Sequence, residues 1–147
     1  VSNELHNRYI RGWRVLEVVV SGFFSSVGLY QDSGATQTET ARCWLMAFAI
    51  DGLATAYYHE LSFGQQRLVL LARAMVKFPT VLILDEPCVG LDDQFRATVL
   101  SMIDCIAGHT GTHIIYVSHT TGEEPECINQ RIRFVPAAGG GFTLVVS

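Results

Sequence analysis

The sequence predicts an α/β protein in which helices pack on a parallel sheet, and three observations carry that prediction. Val81-Leu82-Ile83-Leu84 is a continuous apolar run of strand length, as expected of a parallel strand covered on both faces. It lies between two segments with helical character, residues 65–77 and the stretch from Asp92 to Gly108. A second strand-like run, residues 113–117, follows. Strand, helix, strand in that order is the pattern of a crossover between parallel strands.

The first half reads as mostly helical. Residues 14–24 carry Val15, Leu16, Val19 and Phe23 at helical spacing, and a helix is expected there, although the β-branched Val18, Val19 and Val20 also suit a strand. A polar loop through Gln31, Asp32, Ser33 and Gly34 leads into residues 38–49, where Ala41, Leu45, Phe48 and Ala49 form the apolar stripe of a second helix. Residues 50–61 read as a short helix and a loop. In the second half, residues 65–77 are rich in Leu, Ala and Arg and stop before Pro79, which cannot continue a helix. Asp92 or Asp93 caps the next helix, which places Phe95, Val99, Met102, Ile103 and Ile106 on one side and ends at Gly108. After the strand at 113–117, a short helical piece at 124–128 precedes a strand at 131–135. Gly139-Gly140-Gly141 then turns the chain into a final strand at 142–146.

Composition narrows the function classes. The 147 residues suffice for one compact domain, and ten basic against 14 acidic residues leave a net charge of −4. There is thus no global positive field to gather nucleic acid or anionic lipid, and three arginines near the start, Arg8, Arg11 and Arg14, read as surface or intramolecular contacts. A hydrophobic content of 49% excludes a disordered chain, while the apolar runs are too short to span a bilayer. The four cysteines, Cys43, Cys88, Cys105 and Cys127, are widely spaced without a C-x-x-C pair and read as reduced thiols, so a cytoplasmic location is expected. The chain opens at Val1 with neither an initiator Met nor a signal peptide, which suggests a processed start or a piece of a longer protein. Lys77 is the only lysine.

Three features carry chemistry. Asp85 and Glu86 follow the apolar run directly, at the strand end where open α/β sheets bind ligands. Such a pair can hold Mg²⁺ through water while the second carboxylate orients or deprotonates an attacking water, although a helix cap or a surface turn uses the same residues. Leu61-Ser62-Phe63-Gly64-Gln65-Gln66 stands just before a helix, so a hydroxyl, a glycine N–H and the positive end of the helix dipole can converge on one anion. A plain N-cap is the alternative role for Ser62. His119 follows Ser118 at the end of the second strand and emerges on the same sheet edge as Glu86 if the strands are parallel.

The order of these elements is more specific than any one of them. Leu-Ser-x-Gly-Gln-Gln, then Leu-Ile-Leu-Asp-Glu-Pro with Asp85 twenty residues after Gln65, then Gly90-Leu91-Asp92, then Val117-Ser118-His119 together resemble the ATP-binding cassette (ABC) ATPase family over residues 61–135. The resemblance implies a partial P-loop NTPase fold: a helical subdomain over residues 1–61, then the signature helix and the C-terminal part of a RecA-like parallel sheet over residues 62–147. It implies that Leu61, Ser62, Phe63, Gly64 and Gln65 form the signature loop, which meets ATP held by the opposite cassette of a dimer. Asp85 would be the Walker B aspartate serving Mg²⁺ through water, and Glu86 the catalytic carboxylate. Gly90, Leu91 and Asp92 would form the D-loop, His119 would be the switch histidine, and Asn3 would stand at the Q-loop position usually held by glutamine. Phe63 replaces the glycine commonest at the third signature position. Residues 62–73 and 85–91, the run at 122–128 and the ending Arg133-Phe134-Val135-Pro136 most resemble the second cassette of the molybdenum-transport, photorepair-type group, which implies the ATP-binding component of molybdate transport.

One element of the family is absent from these 147 residues: Gly-x4-Gly-Lys-Ser/Thr, the Walker A loop that cradles the phosphates. The nearest imitation, Gly28 to Gly34 followed by Ala35 and Thr36, has its glycines one residue too far apart and no lysine. ATP and Mg²⁺ are therefore expected as cofactors of a complete protein and not as tight ligands of this chain alone. Without the Walker A strand, the strands at 113–117 and 131–135 are expected to lack a neighbour between them. The expected partners are a second cassette, in the same chain or a homodimer, and a membrane permease, with nucleic acid disfavoured. Two other readings use the same residues: a non-catalytic dimerisation or regulatory module that offers Ser62, Gly64 and Gln65 in trans, and a soluble nucleic-acid-associated ABC protein.

Overall fold

The computed structural model describes residues 12–24, 34–120, 122–137 and 140–147. Its first layer is helical. Helix α1, Val15–Val20, runs into a 3₁₀ turn, Ser21–Phe24, so the helical reading of this valine-rich stretch holds over the β-branched one. Tertiary burial decides it: Val15, Val18, Val19 and Val20 are all buried, which outweighs their weak helix propensity. Helix α2, Ala35–Ala47, starts three residues before the expected position, with Gly34 N–H donating to Gln37 Oε1 at 2.9 Å. Residues 50–61 form two 3₁₀ turns, Asp51–Leu53 and Tyr58–Glu60, instead of one helix. Arg14 donates to Thr55 O at 2.8 Å and sits over the Tyr57 ring at 5.3 Å, so its guanidinium is used inside this layer.

Helix α3, Phe63–Met75, begins two residues before the predicted Gln65 because Ser62 caps it. Leu68, Val69, Leu70, Leu71, Ala72 and Met75 are buried, joining one core with α1, with Ala41, Leu45 and Phe48, and with the sheet residues Leu82 and Leu84. The approach to α1 is close. A Cβ added to Gly22 would lie 2.2 Å from the Arg73 carbonyl oxygen, and Arg73 Nε donates to Ser21 Oγ at 3.1 Å across the same contact.

Strands β1, Val81–Asp85, and β2, His113–Val117, are parallel, with Val81 opposite His113 and Asp85 opposite Val117. The crossover between them is α4, Asp93–Thr110, capped by Asp92, whose Oδ1 accepts the Phe95 N–H at 2.9 Å. The predicted stop at Gly108 is corrected to Gly111, which takes the left-handed φ of 66° that ends the helix, while Gly108 continues it. The expectation that β1 is covered on both faces is also corrected. Leu82 and Leu84 face the core, while Val81 and Ile83 are 47% and 54% exposed, because the described helices pack on one side only. Ile115 and Val117 of β2 are likewise exposed.

No helix forms at 124–128. Pro125 is buried, Cys127 N–H donates to Asp104 Oδ1 at 2.8 Å, and the chain makes a turn on α4 in place of the helical piece. Strands β3, Ile132–Pro136, and β4, Phe142–Val146, form a separate antiparallel hairpin, with Ile132 opposite Val146. Among the described strands β2 pairs only with β1 and β3 only with β4. No described helix is long and apolar enough to cross a membrane.

Candidate functional site

The parallel register builds the site. Because Asp85 pairs with Val117, the residues just beyond each strand come out side by side, and the Glu86 N–H donates to Val117 O at 3.0 Å. Glu86 carries a left-handed φ of 49°, an uncommon conformation for a residue with a side chain, and one that recurs where a reactive group is held in place. The His119 N–H donates to Glu86 Oε1 at 3.2 Å, and the His119 ring nitrogen Nδ1 contacts the same oxygen. The carboxylate is 24% exposed and the imidazole 77%, so a sheltered acid meets a histidine open to solvent. Among the described residues no hydrogen bond engages Glu86 Oε2, the oxygen left to face a water. Asp85, at the last position of β1, shares the uncovered face with Val81 and Ile83.

Beside this pair lies a cleft of about 240 Å³ lined by Glu86, Gly90, Arg96, Tyr116 and Glu123, with Cys88 at its wall. Gly90 has a φ of 79° and turns the chain toward Asp92, while Leu91 is buried. Arg96, one turn into α4, gathers this region: NH1 lies 2.9 Å from Asp93 Oδ1 and 3.1 Å from Glu123 Oε1, and NH2 donates to Leu91 O at 3.3 Å. The Tyr116 hydroxyl donates to the Glu123 carbonyl at 3.0 Å and stands 3.6 Å from Cys88 Sγ. Burial pushes both the Cys88 thiol and the Tyr116 hydroxyl above their ordinary values.

The Leu61 to Gln65 loop is placed elsewhere. Ser62 Oγ accepts the Gln65 N–H at 3.3 Å, and Gln65 Oε1 accepts the Ser62 N–H at 3.0 Å, a reciprocal capping box. The serine hydroxyl accepts in this bond, so its own proton can be donated to an anion at the positive end of the α3 dipole. Phe63 is 61% exposed beside it. Gly64 is buried, and a Cβ there would fall 2.2 Å from Phe95 Cδ1, so this helix start packs against α4 just past Asp92. Leu61 is fixed from behind by Gln66, whose Nε2 donates to Leu61 O at 3.1 Å and to Tyr58 O at 3.0 Å. None of Leu61, Ser62, Phe63, Gly64 and Gln65 lines the cleft at Glu86. The predicted residues thus form two separate surfaces, Glu86 with His119 on one and Ser62 with its helix end on the other. Asn3, Gly28, Arg8 and Arg11 lie outside the described residues.

Among the described residues no group of three or more His, Cys, Asp and Glu side chains can hold a metal ion by itself. Two adjacent carboxylates at a strand end do fit Mg²⁺, which keeps several waters and takes phosphate oxygens as its remaining ligands. The 147 residues contain no Gly-x4-Gly-Lys-Ser/Thr cradle, and among the described residues the Ser62 end of α3 presents donors that suit an anion. Arg96, Glu123 and Tyr116 are residues to which the sequence reading gave no role at the site, and Cys88 was read only as a reduced thiol. Arg96 had a visible signal, its place three residues after Asp93 in the first turn of a helix.

Comparison with known proteins identifies the family. Residues 5–89 match the model of the family described as ABC transporter. The chain is 42% identical to the ABC transporter ATP-binding protein ModF of Escherichia coli over 95% of its own length, which is 29% of ModF. It is 34% identical to the uncharacterized ABC transporter ATP-binding protein YlmA of Bacillus subtilis over 84% of its length, 47% of that protein. It therefore spans less than half of these curated relatives. Proteins named for Fe(3+) ion import in Pseudomonas fluorescens and for glutamine transport in Bacillus subtilis are also similar, each 34% identical, over 63% and 74% of this chain and 27% and 44% of theirs. In fold, an ATP-binding cassette of an ABC transporter solved in its ADP conformation superimposes with a TM-score of 0.67 at 20% identity, over 78% of this chain and 48% of that one. With more than half of its residues inside the family match and its fold that of a cassette, the chain belongs to the ABC transporter ATP-binding family.

Proposed function

We propose that this chain supplies the signature, Walker B, D-loop and switch-histidine parts of an ATP-binding cassette that hydrolyses ATP in the complete protein. The observation that carries the reading is the pairing of Glu86 with His119 at the ends of two parallel strands. Bound Mg²⁺ would neutralise charge on the phosphates, and Asp85 is the carboxylate that would hold it through water. Glu86 Oε2 takes the proton of the attacking water, while Oε1 stays held by the His119 N–H, which fixes the plane of the carboxylate. Ser62 donates its hydroxyl to the γ-phosphate of a nucleotide carried by a second cassette, as the separation of the two surfaces favours. The two surfaces make a cassette dimer the working unit. Similarity to ABC transporter ATP-binding proteins supports an ATP-binding role beside a membrane permease; we further propose molybdate as the cargo, and loss of molybdate accumulation on deletion of the gene is the outcome that reading expects.

Equilibrium binding of labelled ATP tests the division of labour. The 147-residue chain alone is expected to retain no nucleotide at micromolar concentration, and to retain it once a cassette carrying Gly-x4-Gly-Lys-Ser/Thr is added. Tight binding by the chain alone, or no change in nucleotide retention by the added cassette on pairing, overturns the proposal.

A further inference from the structure

We propose that Arg96 and Glu123 form a clamp that locks the Gly90-Leu91-Asp92 segment to the segment carrying His119, and that both are positioning residues for Glu86. The proposal rests on the hydrolytic reading above and goes beyond it. Arg96 bridges two segments: NH2 holds the backbone carbonyl of Leu91, and NH1, which also pairs with Asp93, reaches the Glu123 carboxylate at 3.1 Å. Of the two carboxylates on NH1, Asp93 is 98% exposed and Glu123 only 32%, so solvent screens the Glu123 pairing less. Glu123 is held a second time through its backbone, where Tyr116 of β2 donates to its carbonyl at 3.0 Å. The same hydroxyl lies 3.6 Å from the thiol of Cys88, and the Cys88 carbonyl accepts the Leu91 N–H at 3.2 Å, which closes the circuit.

His119 sits inside this frame. Upstream of it the Val117 carbonyl takes the Glu86 N–H, and downstream of it Glu123 is fixed by Arg96 and Tyr116. A planar fork with separate donors suits a bridge between a carbonyl and a carboxylate, and a lysine, with one ammonium, cannot span both in the same geometry. Any shift of the Leu91 carbonyl therefore pulls on the Glu123 side of the histidine segment. In the cassette-dimer reading the Leu91 segment faces the partner, so the clamp is the route by which docking reaches Glu86.

The test uses the full-length protein with Arg96→Lys, Glu123→Gln, their combination and Glu86→Gln. The clamp predicts a fall in kcat of about tenfold or more with the KM for ATP within about twofold, since small misplacements of reacting groups cost rate steeply. It also predicts that the double variant is no worse than either single one. Independently of turnover, Cys88 alkylation by a maleimide, read by mass spectrometry, is expected to quicken about tenfold in Glu123→Gln while Cys127 alkylation is unchanged. Two singles with normal kcat and unchanged Cys88 labelling, or singles whose losses simply multiply, overturn the clamp. If Glu86→Gln hydrolyses ATP at the normal rate, the hydrolytic reading fails, and the Cys88 labelling then decides the clamp by itself.

Discussion

Replacing Gly64 by alanine tests how the serine-bearing helix start is seated. The added Cβ would lie 2.2 Å from Phe95 Cδ1, 2.3 Å from Cγ and 2.8 Å from Cε1. Carbon atoms pack at about 3.5–4.0 Å, so the ring or the helix must retreat by roughly 1.3–1.8 Å. The Phe95 backbone cannot easily follow, because its N–H is bonded to the Asp92 cap at 2.9 Å. Overpacking of this kind costs about 1–3 kcal/mol, which at about 2–4 °C per kcal/mol for a chain of this size lowers the melting temperature by roughly 2–12 °C. Thermal unfolding followed by circular dichroism reads it. The same substitution in a Phe95→Ala background reverses sign: with the ring gone, alanine is a better helix former than glycine by up to about 1 kcal/mol. Equal destabilisation in both backgrounds, or a loss below about 0.5 kcal/mol in the parent, would refute the close-packed seat.

Three further outcomes follow from particular contacts. Ser62→Ala removes the cap of α3 and is expected to cost about 1 kcal/mol, whereas Ser62→Asn keeps the cap and the stability; paired melting curves and ATPase assays separate capping from anion donation. Gly111→Ala forces a side chain into a φ of 66° and is expected to cost about 1–2 kcal/mol in urea unfolding, while Gly108→Ala, in the exposed helix, is neutral or stabilising. Burial and the hydrogen bond with Asp104 raise the Cys127 thiol from 9.0 to about 11. The folded state then holds a proton that the unfolded state releases, so this contribution is complete below pH 9 and is lost between about pH 9 and 11; Cys127→Ser flattens that part of the stability curve.

The sequence made the order of elements readable because the strong signals were local. Val81 to Leu84, the Asp92 cap and Pro79 each act within a few residues, and each lies where expected. Errors arose where a distant partner decides. Residues 124–128 contain helix-compatible Glu and Cys, yet the Cys127 N–H goes to Asp104 on α4, 23 positions away, and no sequence pattern shows that bond. The apolar character of Val81 and Ile83 announced burial on both faces, but among the described residues only the Leu82 and Leu84 face is buried. The helix end moved from Gly108 to Gly111 because two glycines three positions apart offer the same stop signal and only backbone geometry selects one.

The candidate site divides in the same way. Glu86 and His119 were legible because each lies within two residues of a strand's end, and parallel pairing was enough to bring them together. Ser62 was legible as a cap, and it is one; the reciprocal bond from Gln65 also leaves its hydroxyl proton for a ligand. Arg96 and Glu123 were not singled out, since their meeting depends on how α4 and the segment after β2 approach in space. Phe95 was assigned to the apolar side of α4, but its role as the wall against Gly64 emerges only from the 2.2 Å clearance.

The most direct measurement is steady-state ATP hydrolysis by the full-length protein with Glu86→Gln, alongside equilibrium ATP binding by the same variant. The change keeps the size and the hydrogen bond from the His119 N–H but removes the proton acceptor. Loss of a positioned general base lowers the rate by about 10²–10⁴-fold, and binding should stay within about twofold of the parent. Hydrolysis at the parental rate would contradict the assignment of Glu86 and, with it, the account of this chain as the catalytic half of a cassette.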